Sequence, residues 1–138
     1  MDTTAAARQT AQLSSIMYVE DDPDIQVIAR IALENIGGFV VTLCASGQEA
    51  LDCISCGAHP DLILLDVMMP DMDGPGTLAA LRLLPETVRT PVIFLTAKIQ
   101  ARELAHLKSL GAWDVIAKPF DPMLLAQQIR QVWGKNHD

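Results

Sequence analysis

No stretch of this sequence is apolar for anything near the ~20 residues that a membrane-spanning helix requires. The opening residues, MDTTAAARQTAQLSS, lack the basic-then-hydrophobic order of a secretory signal, and residues 1–14 read as a polar tail. A cytoplasmic protein without membrane insertion is therefore expected. Basic residues are scarce too: ten Lys and Arg stand against seventeen Asp and Glu, for a formal net charge of −7. They gather into no stripe, so a nucleic-acid partner, whose phosphates require one, is not expected. Acidity of this kind suits a metal cation or a basic protein surface.

Cysteine is sparse and odd in number (Cys44, Cys53 and Cys56), which argues against a disulfide framework. Cys53 and Cys56 have CxxC spacing with His59 close by, but a zinc site wants four ligands and no second pair exists. They read as small helix residues in a reducing compartment. Internal repeats, linkers and low-complexity tracts are also missing. With 138 residues, half of them hydrophobic, the chain reads as one globular domain, too short for an eightfold barrel.

What the sequence does have is five short apolar runs, each followed by a helical pattern. The runs are Ser15–Val19, Phe39–Leu43, Leu62–Asp66, Pro91–Leu95 (ending in Thr96) and Trp113–Ala117. Four apolar residues bounded by turn signals, as in Leu62-Ile63-Leu64-Leu65, mark a strand buried on both faces of a parallel sheet. The first helix is predicted to start at Pro23 with Asp22 as its N-cap. It carries Ile25, Ile28, Ile31, Ala32 and Ile36 and stops at Gly37-Gly38. Ser46 and Glu49 form a capping box for the second, which ends near Gly57. Leu78, Leu81 and Leu84 mark the third, stopped by Pro85. A fourth, with a thin apolar stripe, runs from about Gln100 to Leu110. The last opens at Asp121-Pro122 and turns Leu125, Ile129, Val132 and Trp133 inward. Alternating strands and helices imply an α/β fold, a doubly wound five-stranded parallel sheet in a three-layer sandwich.

Parallel strands point their carboxyl ends to one edge, where open α/β sheets place their ligands. That edge collects Glu20, Asp21 and Asp22 after the first strand, Asp66 at the end of the third, Thr96 after the fourth and Lys118 after the fifth. Each residue alone also fits a plain role: a cap for Glu20 or Asp22, a polar strand terminus for Asp66 or Thr96, a solvated charge for Lys118. Their convergence is more specific. Three carboxylates in one place call for a cation, and hard oxygen ligands suit Mg2+. A lysine offers a point charge to an oxyanion, and a threonine a hydroxyl donor. Together they describe phosphoryl transfer to an aspartate.

Four segments carry a resemblance to a known family: Val19-Glu20-Asp21-Asp22-Pro23, Asp66-Val67-Met68-Met69-Pro70-Asp71-Met72-Asp73-Gly74, Leu95-Thr96-Ala97 and Lys118-Pro119-Phe120. In this order, each at a strand end, they resemble the receiver domain of two-component response regulators, and in particular its single-domain, chemotaxis-regulator-like members. The resemblance implies a flavodoxin-like sheet of order 2-1-3-4-5, with the receiver over residues 15–134 and a tail over 135–138. It makes Asp66 the acceptor of a phosphoryl group from a histidine kinase or histidine phosphotransfer protein. Mg2+ is then held by Asp21, Asp66 and the backbone carbonyl of Met68, with Glu20 acting through water. Lys118 pairs with the phosphoryl oxygens, Thr96 turns its hydroxyl onto them, and the Lys118–Pro119 bond is cis.

The family usually has an aromatic residue three positions before the lysine, where this chain has Val115. Trp113 is expected on the same side of the strand, farther from the site. Output is then expected to depend on displacement of the Thr96–Arg102 loop and the fourth helix. With no further domain in the sequence, signalling is expected through contact with a downstream target protein on the face of helix four, strand five and helix five. The kinase is expected over helix one. Met68 and Lys98 flank the approach of water to the phosphate.

Three other readings compete. A haloacid-dehalogenase-type, Mg2+-dependent phosphohydrolase needs an acid two residues after its nucleophile, where Met68 stands; Asp71-Met72-Asp73 has the spacing but follows a turn. A flavodoxin-type cofactor binder needs phosphate loops rich in glycine and hydroxyls, whereas Glu20-Asp21-Asp22 would repel a phosphate without a metal. A receiver-like scaffold that acts without phosphorylation is the third.

Overall fold

The computed structural model describes residues 12–97 and 100–137. Five strands, β1 (Ser15–Val19), β2 (Val40–Cys44), β3 (Leu62–Asp66), β4 (Val92–Thr96) and β5 (Asp114–Ala117), form one sheet of order β2-β1-β3-β4-β5. Every neighbouring pair is parallel. Five helices connect and follow them: α1 (Pro23–Arg30, continuing as a π-helical segment over Ile31–Ile36), α2 (Gly47–Ser55), α3 (Gly74–Arg82), α4 (Ala101–Ser109) and α5 (Leu125–His137). No helix among the described residues is long and apolar enough to cross a membrane.

The central strands are apolar throughout because both of their faces are covered. Side chains alternate between two cores. Ile16, Tyr18, Leu62, Leu64, Ile93 and Leu95 meet Ala29, Ala32 and Leu33 of the first helix and Leu125, Ile129 and Val132 of the last. Met17, Val19, Ile63, Leu65, Val92 and Phe94 meet Ala50, Ile54, Leu78, Leu81 and Leu107 of the other three. The expected three-layer sandwich is present.

Several boundaries differ from the sequence expectation, each for a local reason. The first helix widens into a π turn, so that the Gly37 amide donates to the Ala32 carbonyl. Ala32 and Leu33 then face the sheet, while Ile28, Ile31 and Ile36 stand on the surface. A Cβ on Gly37 would sit 2.7 Å from the Leu33 carbonyl and 2.9 Å from Ala126, so the close approach of this helix end to α5 requires glycine. Strand β2 begins one residue late because the Phe39 amide closes the preceding helix end on Leu33 and its ring turns into the core. In the capping box of α2, Glu49 accepts its amide from Ala45 rather than Ser46. Asp121 closes a separate turn, accepting the Met123 amide, before α5 starts at Leu125. Trp113 lies just before β5, outside its alternation. It packs with Trp133 in the first core, whereas Val115 faces the second, so the two do not share a side as expected.

Candidate functional site

The sheet register assembles the site. Val19 pairs with Leu65, which places Glu20 beside Asp66. Asp66 pairs with Leu95, so Thr96 stands one step further along the edge, and Thr96 pairs with Ala117, which delivers Lys118 next to it. The Lys118 amide donates to the Thr96 carbonyl at 2.9 Å, and a cis peptide bond to Pro119 follows. Thr96 itself is buried.

Glu20 is 1% exposed, and its carboxylate is held at both oxygens. Oε1 accepts from the Tyr18 hydroxyl at 3.0 Å and from Lys118 Nζ at 3.0 Å, and Oε2 accepts from the Asp22 amide at 3.2 Å. Lys118 Nζ also reaches Asp66 Oδ1 at 3.2 Å. The lysine thus bridges two carboxylates that have little water to screen them. Asp22 turns the other way: its Oδ1 accepts the Asp24 and Ile25 amides as the N-cap of α1, the role expected of it.

The backbone at Asp66 is as constrained as its side chain. A Cβ on Gly74 would fall 2.6 Å from the Asp66 carbonyl oxygen, so the turn after β3 folds tightly against the strand end only with glycine there. Asp71 enters the left-handed region (φ 67°), and Asp73 caps α3 by accepting the Gly76 amide at 2.8 Å. Asp73 therefore serves the helix, which weakens the phosphohydrolase reading of Asp71-Met72-Asp73.

Electrostatics set Asp66 apart. Burial, and then the charge of Glu20, push its carboxyl up to about 6, against the pull of Lys118. Burial alone would lower the Lys118 ammonium, but its bond to Glu20 and the charges of Asp66 and Glu20 hold it above the usual lysine range. Burial and Glu20 drive the Tyr18 phenol far above its ordinary value.

One ligand oxygen from each of Glu20, Asp21 and Asp66 lies within 4.8 Å of the others, and Asp21 is exposed at the mouth. Hard carboxylate oxygens at this spacing, one of them carrying an ill-balanced charge, fit a small divalent cation. Met68 does not join this cluster through its side chain, which is exposed and lines a neighbouring cleft of about 510 Å³ with Val67, Thr96, Arg102, His106 and Leu107. Lys98, and with it part of the Thr96–Arg102 loop, lies outside the described residues. Elsewhere, Cys44 and Cys53 place their sulfurs 3.9 Å apart; burial, and then Cys53, push the Cys44 thiol up to about 12, toward inertness. Among the described residues no metal cluster includes Cys53, Cys56 or His59.

Sequence reasoning overlooked Tyr18. The signal was available: it is the single tyrosine of the chain, set among Ile16, Met17 and Val19 in a buried strand, and a buried hydroxyl needs an acceptor.

Comparison with known proteins bears on this geometry. The family described as the response regulator receiver domain matches residues 16–130. The chain is 38% identical over 125 residues to the transcriptional regulatory protein CpxR of Escherichia coli K12, covering 91% of this chain and 51% of that protein. It thus spans about half the length of such curated relatives. It is also 34% identical to an uncharacterized 14.6 kDa protein of Leptolyngbya boryana, covering 89% of this chain and 92% of that one. Among solved structures, the chemotaxis protein CheY4 of Vibrio cholerae superposes with a TM-score of 0.80 at 29% identity, over 88% of this chain and 99% of that one.

Proposed function

The chain belongs to the response regulator receiver domains of two-component systems, and from that premise we propose that Asp66 accepts a phosphoryl group from a phosphohistidine donor. Receiver domains are signalling modules rather than classical enzymes, so the chemistry here is the domain's own phosphorylation and dephosphorylation. The observation that carries the proposal is the buried Asp66 carboxylate at the carboxyl edge of the sheet, bridged to the Glu20 carboxylate by the Lys118 ammonium.

The chemistry follows from this arrangement. An Asp66 oxygen attacks phosphorus, the bond from phosphorus to the donor histidine nitrogen breaks, and that nitrogen leaves with the electron pair. Lys118 already lies 3.2 Å from Asp66 and turns to the incoming phosphoryl oxygens. Thr96, next along the edge, supplies a hydroxyl to the same oxygens. Asp21, Asp66 and the Met68 carbonyl would hold Mg2+, with Glu20 acting through water; when bound, the ion offsets the charge of the transferring group. A groove of about 290 Å³ beside the site, lined by Ile25, Ile28, Phe120 and Lys118 itself, supports docking of the histidine kinase or phosphotransfer protein over α1. Further along the same helix, Ile31 and Ile36 are also exposed. Output passes by contact between the face of α4, β5 and α5 and a target protein.

The test is incubation with acetyl phosphate and Mg2+, read by intact mass. The expected result is a gain of one phosphoryl group that a chelator prevents and that Asp66→Asn does not show. No adduct in the native protein, or an adduct that persists in Asp66→Asn, overturns the proposal.

A further inference from the structure

We infer that Tyr18 is a positioning residue for phosphoryl transfer: its hydroxyl shares Glu20 Oε1 with Lys118 and so keeps the lysine extended toward Asp66. The inference rests on the phosphoacceptor reading of Asp66 and adds a residue to it.

The side chain of Tyr18 is wholly buried in the first core. A phenylalanine ring would fill nearly the same space, so packing does not account for the hydroxyl. A polar group in that position has a cost unless it finds a partner, and its partner is an oxygen of the site. Glu20 Oε1 takes two donors at equal distance, the Tyr18 hydroxyl and Lys118 Nζ, each at 3.0 Å. A carboxylate oxygen offers about two acceptor positions, so these two donors fill it. Oε2 is engaged by the Asp22 amide, which leaves the carboxylate no freedom to turn.

The consequence falls on Lys118. With its charge partly answered by the phenol, Glu20 does not hold the ammonium alone, and Nζ spans to Asp66 at 3.2 Å. Removing the hydroxyl returns the whole of Oε1 to the lysine. The ammonium is then drawn toward Glu20 and away from the Asp66 carboxylate. Tyr18 acts through Glu20 and Lys118 and does not itself contact Asp66 among its hydrogen bonds.

Because Tyr18 is the single tyrosine, an isotope label on its phenol carbon Cζ gives one NMR resonance, which reports the hydrogen bond without metal or phosphate. In metal-free protein that resonance is expected to move in Glu20→Gln, and also in Lys118→Met, although the hydroxyl donates to Glu20 and not to the lysine. In Tyr18→Phe the phosphorylation rate at saturating acetyl phosphate and Mg2+ is expected to fall about tenfold, the size of a lost charge-assisted hydrogen bond, with the half-saturating donor concentration changed less than about twofold. A resonance indifferent to Lys118→Met, or a Tyr18→Phe rate within about twofold of the native protein, overturns the inference. If the native protein takes no phosphoryl group, the Asp66 reading is what fails, and the resonance alone decides the network. If Tyr18→Phe does not fold, the resonance, measured with the tyrosine in place, still decides.

Discussion

Two aspartates flank one strand and have opposite fates. Asp61, just before β3, has an Oδ2 that accepts the Ser14 amide, the Ser14 hydroxyl and the Ser15 amide, each at 3.0 Å. Partial burial alone would raise its carboxyl, but those bonds from Ser14 and Ser15 hold it below the usual carboxylate range. Asp66, at the other end, is buried against a second carboxylate and is pushed up to about 6. Residue type, strand and chain are the same; the difference is what each end of the sheet supplies. The amino edge offers backbone amides and hydroxyls that stabilise the ion. The carboxyl edge offers another anion and one shared lysine. Asp61 is a satisfied structural group, and Asp66 is a carboxylate whose charged form burial and Glu20 disfavour.

The contrast is sharpest in phosphorylation itself. Asp66→Asn is expected to reduce labelling by at least about a thousandfold, because the nucleophile is gone, while Asp61→Asn labels like the native protein; equal loss in both would erase the distinction. Next in size, Lys118→Ala is expected to slow transfer about a hundredfold, through lost stabilisation of developing charge, with the fold retained by circular dichroism. An unchanged rate would remove the lysine from the account.

Stability against pH separates the same two residues by sign. Between the ordinary carboxylate range and about 6, folded Asp66 binds a proton that the unfolded chain does not. Its contribution therefore makes the metal-free protein less stable as pH rises through that window, by about 1–3 kcal/mol. Asp61 works the other way. Its folded carboxyl is depressed, so its stabilisation is present above the unfolded value and is lost as pH falls through the folded one. Urea midpoints across a pH series with chelator present test both: the loss between pH about 4 and 6 should vanish in Asp66→Asn and persist in Asp61→Ala. The smallest effect is that of Asp61→Ala near neutral pH, about 1 kcal/mol of stability, since its donors are near enough to solvent to find water.

Much of this was legible in the sequence. β1 and β3 match their predicted limits residue for residue, because a fully buried strand is an apolar run with abrupt polar ends. The other strands shift by a residue where a neighbour competes: Phe39 closes a helix, Pro91 has no amide to give, and Trp113 leaves the strand to meet Trp133. The clustering of Glu20, Asp21, Asp66 and Lys118 was also legible, since parallel strands must end on one edge. The π turn was not, because the isoleucines of the first helix fit an ordinary helical period. Nor was the seating of Asp61 on Ser14 and Ser15, which joins residues 47 and 46 positions apart in the chain.

The most direct test is chemical trapping of the phosphorylated residue. An acyl phosphate is reduced by borohydride, which would convert the modified aspartate into homoserine at a position that peptide sequencing reads. After acetyl phosphate and Mg2+, homoserine is predicted at position 66. Homoserine at 61, 71 or 73 instead, or none at any position in a protein that has gained a phosphoryl group, would contradict the account.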